Sequence, residues 1–146
     1  MDELTATVER SWGWSGLRPK RVIERNAFGN LLVLDELGRY WRIRPEDLSC
    51  AVIADSAADF ASLRADPDFM RDWDMSRLKD VALSARGPIS GNRAYCLKIA
   101  SVLGGEYAAS NIGDISLPEL ISASGNLALQ IRDLPDGAAI NLQITE

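Results

Sequence analysis

The sequence contains no histidine. That absence removes the commonest general acid–base, every Ser–His or Cys–His nucleophile and the commonest metal ligand. Cysteine is scarce: Cys50 and Cys96 each sit in an apolar, strand-like run, with no CxxC spacing. They read as reduced thiols acting as small hydrophobes, not as a metal site, and no cofactor is called for. No apolar run approaches the roughly 20 residues that cross a bilayer, so no membrane partner is expected. The N-terminus opens on Asp2 and Glu3 with no apolar h-region, and the expected location is the cytoplasm. The glycines form neither GxGxxG nor a P-loop, and Glu106 beside Gly104-Gly105 would repel phosphate.

What is present is ordinary globular composition: 47% hydrophobic and 25% charged residues over 146 positions, enough for a core without staples. Net charge is −5 and unevenly placed, with six Asp against Arg64 and Arg71 between residues 55 and 74. Nucleic acid is therefore a poor ligand, because its binding is dominated by cationic contacts to phosphate. A basic protein partner would be steered to the acidic segment; the alternative is a solvated helical face with no partner.

Periodicity gives one α+β domain over residues 1–146. Residues 1–54 read as a helix (2–12) and an antiparallel meander with strands at Lys20–Glu24, Asn30–Asp35, Arg39–Arg44 and Cys50–Ala54. Trp12 and Trp14 read as core plugs. Trp41 and Ile43 alternate with Tyr40, Arg42 and Arg44, while the runs 31–34 and 51–54 look covered on both faces. Residues 55–87 turn helical, with starts at Ser56 and at Asp66-Pro67 and a third helix striped by Met75, Leu78, Val81, Ala82 and Ala85. Residues 88–146 read as a strand with Tyr95, Leu97 and Ile99 on one face, a Gly-Gly turn, a strand at 112–116, a helix and a final strand. Ser116-Leu117-Pro118-Glu119 is a full capping box for that helix, and Gly125 inside it predicts close approach to a strand. A turn at 134–137 precedes the final strand, where Ile140, Leu142 and Ile144 alternate with polar residues.

Two surfaces qualify for partner binding. One is the acidic segment Asp66, Asp68, Asp72 and Asp74 with Trp73, although helix capping explains such carboxylates equally well. No DxDxDG spacing makes it a calcium loop. The other is the loop after the Gly-Gly turn, with Glu106, Tyr107, Asn111 and Asp114, and capping explains neither Glu106 nor Tyr107. Glu106 with Asp114 is the one carboxylate pair that a small-enzyme reading could use.

Several segments together resemble a known family: Trp12-Gly13-Trp14-Ser15-Gly16, the stretch Arg25–Asn30 before an apolar strand, Tyr40–Cys50, and Tyr95–Ile99 followed by Leu103-Gly104-Gly105-Glu106-Tyr107 and Asn111-Ile112-Gly113. In this order they are similar to bacterial type VI secretion immunity proteins that carry a C-terminal immunity domain after a GAD-like region, here shorter than usual. The resemblance implies a non-enzymatic inhibitor that binds a cognate toxin, typically a basic, nuclease-like effector. A general interaction or regulatory domain with a non-toxin partner is the alternative.

Overall fold

The computed structural model describes residues 2–134; the turn read at 134–137 (but for Leu134) and the terminal strand at 140–145 lie outside them. Helix α1 (Glu3–Trp12) starts where Asp2 Oδ1 accepts the Thr5 amide at 2.7 Å, and it buries Val8 and Trp12 one turn apart. Gly16, at φ +99°, ends the short turn that follows. Strands β1 (Pro19–Arg25), β2 (Leu31–Asp35), β3 (Tyr40–Arg44) and β4 (Ser49–Ala54) form an antiparallel sheet in sequence order, as short connections require. Three helices follow: α2 (Ala57–Arg64), α3 (Pro67–Asp74) and α4 (Ser76–Arg86). A two-stranded hairpin, β5 (Arg93–Leu97) with β6 (Ile112–Ser116), then leads into α5 (Leu117–Ile131).

The sheet is covered on both sides. Leu31, Val33, Trp41 and Ile43 point toward α1 and α5 and share a core with Val8, Trp12, Leu120 and Ile121. Helices α2 and α3 cover the opposite face: Phe60 stacks on Tyr40 at 4.1 Å, and Arg42 lies 5.3 Å from the Trp73 ring. A second core, with Phe28, Tyr95, Leu97, Ile112 and Ala82, holds the hairpin against α4.

The Asn26–Asn30 turn is where these layers meet. Asn26 Oδ1 accepts the amides of Phe28 and Asn30, each at 3.0 Å, and its Nδ2 donates to the Trp73 carbonyl at 2.9 Å. The Ala27 carbonyl accepts the Tyr95 amide at 2.9 Å, so the turn also carries β5. Gly29 sits at φ +69°, and a Cβ there would lie 2.6 Å from Leu120 Cδ2.

Four expectations are corrected. Ala51 and Val52 are exposed, because β4 is an edge of its sheet in the described residues and Ala51 faces an open cleft against Leu63 and Phe69 rather than a closed layer. Ala85 is exposed, so the α4 stripe is covered only in part. Gly125 makes its close approach to a helix rather than a strand: a Cβ there would stand 2.3 Å from the Ser11 carbonyl oxygen of α1. Ile99 is 54% exposed, because pairing stops at Leu97–Ile112 and the next amides go elsewhere.

Candidate functional site

The loop after β5 and the α3–α4 joint lie side by side, joined by a chain of polar contacts that starts in the core. Asn30, fully buried, donates Nδ2 to Glu46 Oε1 at 2.5 Å, and its Oδ1 accepts from Arg42 Nε and Nη2 at 3.0 and 2.8 Å. Arg42, itself buried between the Phe69 and Trp73 rings, reaches Asp72 Oδ2 at 2.5 Å. Arg44 extends the chain outward, 3.9 Å from Asp72 Oδ2, 3.2 Å from Asp47 Oδ2 and 3.4 Å from Glu46 Oε2. Asp47 Oδ1 then accepts two hydroxyls from the far loop, Ser101 Oγ at 2.5 Å and the Tyr107 phenol.

Burial pushes the Glu46 carboxyl up, against the pull of the Asn30 hydrogen bond and the Arg44 charge. Burial alone would lower the Arg44 guanidinium, but Glu46, Asp47 and Asp72 together raise it. A buried charge is stable only when paired and hydrogen-bonded, so this network is a rigid strut between β3, α3 and the loop.

The loop has its own internal frame. Asn111 Oδ1 accepts the Ile99 amide at 2.9 Å, while its Nδ2 donates to the carbonyls of Ile99 and Glu106, both at 2.9 Å. The Gly105 amide donates to the Ala100 carbonyl at 3.0 Å, and Gly104 takes φ +92°. Between the loop and the α3–α4 joint runs an open groove of about 390 Å³, with Arg44, Arg71, Asp72, Arg77, Val81 and Tyr107 on its walls. Met75, which also lines it, takes a left-handed backbone conformation (φ 48°) that breaks the chain between α3 and α4.

Of the nine residues singled out in the sequence, Asp66 and Asp74 are exposed at the two ends of α3, and the other seven fall into distinct places. Asp72 and Tyr107, from separate candidate surfaces, meet on one groove. Asp68 and Glu106 are exposed; Asp68 pairs with Arg71 one turn on. Trp73 is 4% exposed, with its ring against Arg42 and its carbonyl held by Asn26, so it is a floor of the network rather than a surface anchor. Asn111 is buried and frames the loop. Asp114 lies on β6, where Arg93 reaches Oδ1 at 2.5 Å and Arg86 reaches Oδ2 at 2.8 Å. Those hydrogen bonds, Arg93 first and then Arg86, hold its carboxyl below the usual range. Both Asp114 oxygens are thus engaged by guanidinium groups, and Glu106 is absent from its partners.

Sequence reasoning missed Asp47, Asn30 and Arg42 as parts of the site. The available signal was the position of Arg42 on the polar side of an alternating strand, opposite Trp41. Also missed were Ile99 and Val102, 54% and 59% exposed. Among the described residues, no three carboxylates or thiols converge as a metal site would require, and no helix is long and apolar enough to cross a membrane.

The fold is α+β, with a polar strut that holds a presented loop beside a groove. A family model described as "T6SS immunity protein Tdi1, C-terminal" matches residues 54–128, from the end of β4 through most of α5. This chain belongs to that family of type VI secretion immunity proteins. The description of that family is of immunity to type VI secretion, and such families are generally non-enzymatic. The fold is shared with the crystal structure of Atu4351 from Agrobacterium tumefaciens, at a TM-score of 0.57 and 14% identity. That match covers 85% of this chain and 63% of the other, so the chain spans less than two thirds of its structural neighbour. No curated protein matches the sequence.

Proposed function

We propose that this protein acts in the cytoplasm of a producing bacterium, where it binds a nuclease effector and blocks its nucleic-acid cleft. The observation that carries the reading is the exposed carboxylate face of α3, beside the groove where Asp72 and Tyr107 meet, on a protein of the immunity family. Blocking a cationic cleft calls for an acidic face that steers and a rigid centre that holds. The acidic balance of −5, with Asp66, Asp68 and Asp74 exposed on and beside α3, supports the steering part. The strut from Asn30 to Asp47 supports the rigid part, since the groove walls are tied to the core on both sides.

Co-expression tests this directly. The product of the adjacent gene, expressed in a sensitive host, is expected to arrest growth and degrade nucleic acid; this chain is expected to restore growth and form a stable complex. Arrest with intact DNA and RNA would remove the nuclease assignment and leave the immunity role standing. Failure to rescue and to bind would remove the role itself for that partner.

A further inference from the structure

We propose that the loop from Ile99 to Tyr107 is the anchor of effector docking: a preformed apolar knob that enters an apolar pocket with a basic rim on the effector. The inference rests on the immunity reading and deepens it. Single exposed apolar residues are ordinary, but Ile99, Val102 and Tyr107 are 54%, 59% and 48% exposed within nine residues of one loop.

That loop is not loose. Asn111 ties both of its ends with three hydrogen bonds. A Cβ at Gly105 would stand 1.8 Å from the Ile99 carbonyl oxygen, so the two limbs of the loop touch through backbone. Ser101 and Tyr107 share one oxygen of Asp47, which closes the loop onto the turn after β3. Folding alone gives no reason to order a loop so thoroughly and leave its apolar side chains in water. Binding gives one, because groups fixed before association lose little freedom on docking. The chemistry of the partner follows from the same residues. Three apolar groups need an apolar pocket. Glu106, exposed and in no ion pair among the described residues, needs a cation at its rim.

The test is calorimetric titration and stopped-flow association of the full chain with a catalytically inactive form of the adjacent gene's product. Val102→Asp and Ile99→Asp are each expected to weaken binding on the order of 30-fold, with an unchanged thermal midpoint because both sites are exposed. Leu37→Asp, on the β2–β3 turn and 77% exposed, is expected to bind within about twofold of wild type. Glu106→Gln is expected to slow association about threefold and to flatten its salt dependence. Wild-type affinity in both loop variants, or equal weakening by Leu37→Asp, overturns the proposal. So does a Val102→Asp variant that dissociates a dimer of this chain while the effector affinity stays the same, which would make the loop a self-association surface. A wild type that does not bind at all removes the immunity reading beneath it, a different result from tight binding indifferent to the loop.

Discussion

Asn26 and Asn111 each close a glycine-bearing loop with their side chains, and the two loops put their apolar residues on opposite sides. Asn26 gathers the amides of Phe28 and Asn30 and holds the Trp73 carbonyl; Phe28 is 1% exposed. Asn111 gathers the amide and carbonyl of Ile99 and the carbonyl of Glu106; Ile99, Val102 and Tyr107 stand in water. One buried amide can satisfy three backbone groups at once, which is why a compact loop can exist without strand or helix partners. What differs is the surroundings. The first loop faces Leu117, Leu120 and Ala94, so its order contributes to global stability. The second faces solvent, so its order is local and is free to serve a partner.

The largest effect should come from glycine. Gly29→Ala combines a left-handed φ with a Cβ 2.6 Å from Leu120 and 3.1 Å from Leu117, and is expected to cost about 3 kcal/mol or more in urea unfolding. Gly105→Ala meets backbone even closer, yet the loop around it can open without the core. Its expected global cost is below about 1 kcal/mol, with amide exchange at Ile99 strongly accelerated. Equal global costs would erase the distinction between the two loops. Asparagine gives the next test on the same axis. Asn26→Ala leaves two buried amides and a buried carbonyl unpaired, an expected loss of about 2–4 kcal/mol. Asn111→Ala leaves groups that water can reach, an expected loss of about 1–2 kcal/mol.

The two loops were also unequally legible. Local spacing revealed the meander, the Ser116 capping box and the break at Asp66-Pro67, because period 2, period 3.6 and a cap are written within a few residues of one another. Ile99 misled for the same reason. Alternation continues in the residues past Leu97, while the ladder stops there because a side chain twelve positions on takes the Ile99 amide. Nothing within five residues of Ile99 announces that. The strut was hidden likewise: Asn30, Arg42, Glu46 and Asp72 are brought together by the sheet and α3, and each alone looks like a surface residue. Trp73 was ambiguous in principle, since an aromatic on a short helix dense in carboxylates is equally a surface anchor or a core plug. Its place became plain only with Asn26 on its carbonyl and Arg42 on its ring.

The smallest effect is a proton. Burial, and after it the hydrogen bond to Asp47, raises the Tyr107 phenol above its ordinary value of 10.0. The neutral phenol is the form that donates to Asp47, so this contribution is fully present below pH 10 and lost as pH rises through the higher folded value. No titrating group occupies the corresponding place in the Asn26 loop, which should hold its amide shifts over the same range. NMR of ring-labelled tyrosine is expected to show Tyr107 titrating above 10, with Asp47→Asn bringing it back toward 10. Ile99 and Glu106 amide shifts should move with it in wild type and stay still in Tyr107→Phe. A Tyr107 that titrates at 10 or below would mean that the hook to Asp47 stands open in solution. The loop would then rest on Asn111 and the single Ser101–Asp47 bond, and its apolar residues would approach a partner less firmly ordered than the closed loop holds them.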